Sequence, residues 1–92
     1  MIRLRWSPGA ADDLERIATH IRKDNPEAAR RVAQTIYDGV GRLVQFPHSG
    51  RPGRVSGTRE LVFPGLPFLA VYRVAGDVID IARIVHGRQR WP

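Results

Sequence analysis

Hydrophobic and polar positions alternate from the start of the chain, where Ile2, Leu4 and Trp6 are interleaved with Arg3 and Arg5. A period of two predicts a strand with one buried face. Ser7-Pro8 interrupts it with a helix start: serine is a favoured N-cap, proline is tolerated in the first turn, and Asp12 and Asp13 lie early enough to suit the positive end of a helix. Leu14, Ile17, Ala18 and Ile21 then recur at helical spacing as an inner face, with Asp12 and Arg16 an outward pair one turn apart and an end near Lys23-Asp24. Asn25-Pro26-Glu27 repeats the start signal. Ala29, Val32, Ala33, Ile36, Tyr37, Val40 and Val44 carry the apolar spacing over about five turns, and the short link predicts an antiparallel helical hairpin. Gly39 and Gly41 each weaken this second helix by about 1 kcal/mol relative to alanine, and mark either a close contact or a fraying end.

Residues 47–57 hold three glycines, two prolines and two arginines, which predicts a mobile loop carrying Arg51 and Arg54. Strand character returns over 59–63, the run Pro64-Gly65-Leu66-Pro67 is a turn, and 68–74 is apolar on both faces except for Arg73, as in an interior strand. Ala75-Gly76-Asp77 turns the chain into a last strand over 78–85, completing a three-stranded meander. The predicted order is strand, helix, helix, strand, strand, strand. It is an α+β fold in which an antiparallel helical hairpin covers one face of a small, mostly antiparallel sheet. The opposite face, with the loop and the tail His86-Gly87-Arg88-Gln89-Arg90-Trp91-Pro92, is left for function.

At 92 residues the chain is expected to form one domain, 1–92, around one modest core. The absence of cysteine excludes a disulfide framework, a thiolate nucleophile and a sulfur-ligated zinc site, and fits a reducing cytoplasm. No apolar run approaches the roughly 20 residues that cross a bilayer, and Met1-Ile2-Arg3-Leu4-Arg5 lacks a signal peptide's apolar core, so a cytoplasmic protein without membrane contact is expected. His20, His48 and His86 have no metal-ligand spacing and there is no phosphate-binding glycine loop, so neither metal nor cofactor is expected.

Charge adds a constraint that hydropathy does not. Fourteen arginines and one lysine against nine acids leave a net charge of +6, which favours an anionic partner. The excess is uneven: residues 1–46 hold eight basic and six acidic side chains, residues 47–92 seven basic and three acidic. Arginine's planar fork suits phosphate and carboxylate groups. Arg51, Arg54, Arg59, Arg83, Arg88 and Arg90, with Trp91, are therefore the candidate binding residues.

The opening strand with Ser7-Pro8 and Ala11-Asp12-Asp13-Leu14-Glu15-Arg16-Ile17, then Phe46-Pro47, Thr58-Arg59-Glu60-Leu61-Val62, Val71-Tyr72-Arg73-Val74 and Ile84-Val85-His86-Gly87-Arg88, resembles in order and spacing the RelE/ParE superfamily of bacterial toxins. The resemblance covers nearly the whole chain, and its His-Gly-x-x-Arg-Trp-Pro tail is similar to ParE-type, plasmid-stabilising members. It implies a growth-inhibiting toxin of a type II toxin-antitoxin module. An acidic antitoxin, encoded adjacently, would wrap it with an extended or helical C-terminal segment, and the assembly implied is a toxin homodimer or a toxin-antitoxin heterotetramer. Two activities occur in the superfamily: binding to DNA gyrase, and cutting of messenger RNA on the ribosome. A third possibility is a non-toxic binding module.

RNA cutting requires a base, an acid and fixed positive charge at the phosphorane, roles open here to Glu60, Arg73, His86 and Arg88. The chain departs from the ribonuclease pattern at Gly87, where a tyrosine follows the histidine, at Leu69, where an arginine is typical, and at Val62, often basic or polar. Gyrase binding is therefore the expected activity. Plain readings stand beside the chemical ones. His86 suits a strand-end histidine bonded to backbone, Glu60 and Arg73 suit cross-strand partners, Trp91 could pack beneath Trp6, and Tyr72 suits the core with its hydroxyl at the surface.

Overall fold

The fold, taken from a computed structural model that describes residues 1–90, follows the expected order with one added strand. Its elements are β1 (Arg3–Trp6), α1 (Pro8–Arg22), α2 (Pro26–Gly41), a 3-10 turn (Arg42–Val44), β2 (Arg51–Pro52), β3 (Arg59–Val62), β4 (Phe68–Ala75) and β5 (Val78–His86). The sheet order is β1-β5-β4-β3-β2, with β1 parallel to β5 and the other pairs antiparallel. Two helices on a mostly antiparallel sheet make the α+β architecture anticipated from periodicity.

The capping signals operate as read. Ser7 Oγ accepts the Ala10 N–H at 3.0 Å and donates to the Ala82 carbonyl at 3.0 Å, so one hydroxyl starts α1 and ties it to β5. Asn25 Oδ1 accepts the Ala28 N–H at 3.1 Å at the start of α2. Asp13 departs from expectation because it does not serve the helix end. β1 pairs with β5 only as far as Ile81. Beyond that point Asp13 accepts the Ile84 N–H at 3.0 Å and the Arg83 Nε–H at 2.7 Å, substituting for the missing strand. This hydrogen bond raises the Arg83 guanidinium above its ordinary value, so its contribution is complete below that value and is lost only at higher, extreme pH.

The main core joins Ala10, Ile36, Val40 and Leu43 to Phe63, Ala70, Tyr72, Ile79, Ile81 and Ile84. Strict alternation would turn Ile84 away from Ile81. A register shift lets Val71 face Arg83 and Tyr72 face Ile81, and the extra residue returns Ile84 to the helix side. On the opposite face, Leu69, Val71 and Val85 form a second, smaller buried cluster.

Three local expectations need correction. The segment 47–57 contributes the edge strand β2, because Arg51 and Pro52 pair with Glu60 and Arg59. The second helix tightens into the 3-10 turn at Arg42, leaving Val44 exposed. Tyr37, expected on the buried face, is 59% exposed.

The two glycines of α2 have different reasons. A Cβ on Gly39 would stand 2.7 Å from the Phe63 ring, whereas one on Gly41 would meet nothing within 4 Å. Gly39→Ala is therefore expected to destabilise by about 1–3 kcal/mol through overpacking, net of its gain in helix propensity. Gly41 sits at φ −59° and ψ −32°, so Gly41→Ala is expected to stabilise by about 0.5–1 kcal/mol. Denaturant melts of the two variants should shift in opposite directions, and shifts of the same sign would refute the contact reading.

Candidate binding surfaces

The first surface lies along the helical hairpin. Small residues Ala18, Ala29 and Ala33, with Leu14, leave a groove of 510 Å³ between α1 and α2, rimmed by Arg22, Arg30 and Gln34. It continues through Leu14, Ala18, Arg22 and Tyr37 into a second hollow of 420 Å³ that also includes Trp6. Tyr37 stacks on Trp6 with centroids 6.1 Å apart and planes 15° from parallel, which holds a largely exposed ring in place. The sequence pattern places Ala18, Ala29 and Ala33 on the apolar faces of the two helices but does not single out this groove. The available signal was their small size, which keeps two helix faces from filling the space between them.

The second surface is the outer face of the sheet with the segment 51–57. Glu60, opposite Val71 in register, is 3% exposed. One carboxylate oxygen accepts the Arg54 N–H at 3.1 Å with Arg54 Nε at 3.8 Å, and the other lies 3.4 Å from Arg51 Nη2. Glu60 and Arg73 are not directly opposed, because the β3–β4 register sets Glu60 opposite Val71; Arg73 faces Asp80 on β5, and its guanidinium lies 3.5 Å from the Ser56 carbonyl. Asp80 takes Arg5 at 2.6 Å. The Arg5 guanidinium is raised above its ordinary value first by that hydrogen bond.

The segment expected to be a mobile loop is tied down at several points. Tyr72 is 0% exposed, and its hydroxyl, expected at the surface, is buried. It donates to the Pro47 carbonyl at 2.8 Å and accepts the Gly50 N–H at 2.9 Å. Arg59 donates to the carbonyls of His48 at 3.3 Å and Gly50 at 2.7 Å. Arg54 reaches the Gln89 carbonyl at 3.4 Å, joining the segment to the tail.

A family model described as the ParE toxin of the type II toxin-antitoxin system parDE matches residues 4–91. The chain belongs to the ParE toxin family. A curated protein of Sinorhizobium fredii (strain NBRC 101917 / NGR234), named "Putative toxin Y4kP", is 43% identical over 90 residues, covering 98% of this chain and 93% of that relative. A solved structure titled "Chromosomal ParDE TA system from P. aeruginosa" superposes with a TM-score of 0.85 at 38% identity, covering 94% of this chain and 96% of the other. The chain is thus a toxin of a ParDE-type type II module, a class that implies a cognate antitoxin.

The remaining sequence-selected residues sit at separate places in the ParE fold. Arg83 is engaged by Asp13 on α1. His86 Nδ1 accepts the Arg88 N–H at 3.1 Å, and its ring meets Phe68 edge-on at 5.7 Å. Arg88 and Arg90 are exposed, and Trp91 lies outside the described residues. Chemically, the imidazole Nδ1 and both Glu60 oxygens are committed to hydrogen bonds, while Arg51, Arg54 and Arg73 on the outer side of the sheet and the exposed Arg88 and Arg90 of the tail are groups suited to anions. Among the described residues no group of three His, Cys, Asp or Glu side chains could hold a metal, and no helix is long and apolar enough to cross a membrane.

Proposed function

We propose that this ParE-family toxin inhibits growth by binding a protein target, DNA gyrase, and that its antitoxin neutralises it by laying an amphipathic helix into the α1–α2 groove. The observation that carries the first half is the state of Glu60. A general base for RNA cleavage must be within reach of the 2′-hydroxyl proton, and this carboxylate is buried beneath two arginines. His86 is likewise occupied at Nδ1. The departures at Leu69, Val62 and Gly87 point the same way.

The groove supports the second half. An apolar floor of Leu14, Ala18, Ala29 and Ala33, a rim of Arg22 and Arg30, and an exposed Tyr37 anchor match an apolar helix face flanked by acids. The basic outer face, with Arg51 and Arg54, lies across the sheet from the hairpin and is then left uncovered by the antitoxin.

The test is to express the chain alone in a bacterium and, within minutes, map new RNA 5′ ends and gyrase-linked DNA breaks while recording growth. Arrest with gyrase-linked breaks and without codon-phased RNA ends is expected. Codon-phased cuts would replace this reading with a ribosome-dependent endoribonuclease, and undiminished growth at confirmed expression would indicate a binding module.

A further inference from the structure

The outer face concentrates positive charge more strongly than net composition requires. Between Asp38 and Asp77 the only acid is Glu60, and none follows Asp80. Arg51 and Arg54 converge on Glu60, Arg54 also contacts the tail at Gln89, and Arg73 contacts the segment at Ser56. These contacts join β2, β4 and the tail into one surface, and the tail, held at Gln89, carries the exposed Arg88 and Arg90 on either side of that contact, without an acidic partner among the described residues. Five arginines stand against the buried Glu60, and Asp80, which shares the face opposite Arg73, is neutralised by Arg5, so the local excess is four charges.

We propose that this face binds the phosphate backbone of duplex DNA directly. Arginine forks pair bidentately with phosphate oxygens, and here Glu60 holds two of them in place before any ligand arrives. Duplex is favoured over single strands by what the face lacks among the described residues. Recognition of unpaired bases relies on exposed aromatic platforms. The outward positions of β3 to β5, which run from Glu60 and Val62 through Leu69, Val71 and Arg73 to Asp80, Arg83 and Val85, contain no aromatic residue. Among the described residues the largely exposed aromatics are Tyr37, on α2, and Phe46, in the link that follows the 3-10 turn, and neither lies on a strand of the sheet. The contact is to backbone, so no sequence preference accompanies it. It stands independently of which protein the toxin targets.

Fluorescence anisotropy of the full chain with a labelled mixed-sequence duplex of about 30 base pairs tests this without gyrase or antitoxin. Neutralising about four phosphates predicts a log–log salt slope near −3.6, or roughly a 10²-fold loss of affinity between 50 and 200 mM salt. The triple variant Arg54→Gln/Arg73→Gln/Arg88→Gln, confirmed folded by circular dichroism, should bind at least about 10-fold more weakly at 50 mM salt with a slope shallower by about 3. The triple variant Arg22→Gln/Arg30→Gln/Arg31→Gln, carrying the same charge change on the helical hairpin, should retain binding. Absence of binding at 50 mM salt, equal loss in both triples, or tighter binding to a single strand of equal length would overturn the proposal.

Discussion

Glu60→Ala is expected to lower the unfolding free energy by about 2–4 kcal/mol, with the melting temperature falling by about 10 °C or more. The carboxylate is 3% exposed and holds the Arg54 N–H, with Arg51 on its other oxygen. Truncation leaves that N–H without its acceptor and removes the charge that draws two guanidiniums together. The arginines themselves are partly solvated, at 60% and 43% side-chain exposure, which keeps the penalty below that of a fully buried pair. Glu60→Gln keeps an oxygen to accept the Arg54 N–H and should recover part of the loss. Thermal unfolding of the three proteins checks this. An unchanged melting temperature in Glu60→Ala would free the residue for chemistry and reopen the ribonuclease reading, whereas a folded, still toxic Glu60→Gln would agree with action by protein binding.

Tyr37→Ala should weaken antitoxin binding by at least about 2 kcal/mol, near 30-fold, the effect of truncating a central aromatic anchor. The ring is 59% exposed, so its burial is still to be gained on association. Stacking on Trp6 fixes its orientation and reduces the ordering required on binding. The isolated chain should lose only about 0.5–1.5 kcal/mol from that aromatic pair. Calorimetric titration with the cognate antitoxin, beside a denaturant melt of each free toxin, separates the two effects. Wild-type affinity in the folded variant would remove the groove from the antitoxin site. This prediction depends on the helical hairpin alone, so its outcome does not bear on DNA binding by the outer face.

Caps, periods and turns made the element order legible because each acts over a few neighbouring residues. Ser7 and Asn25 start their helices through N–H groups three residues ahead, and the strands follow from alternation. Family membership was legible for a related reason: the same local signals recur in a fixed order along the chain, and the family model spans residues 4–91. The two candidate surfaces were less legible. The arginines could be counted, but their grouping around Glu60 could not. The groove depends on space left between helices, which no single residue encodes.

By itself the sequence determined an α+β chain with a helical hairpin, a basic second half and a ParE-type pattern. Tertiary structure decided the roles of individual polar groups. Asp13 reads as a helix-end acid until Ile84, 71 residues away, presents an N–H beyond the end of β1. Tyr72 reads as a core tyrosine with a wet hydroxyl until Pro47, 25 residues earlier, supplies a carbonyl. Gly39 and Gly41 are equivalent in a helix until Phe63 packs against one of them. Backbone periodicity and capping are set by short-range sterics and hydrogen bonds, whereas a buried polar group takes whichever partner the folded chain brings within about 3 Å.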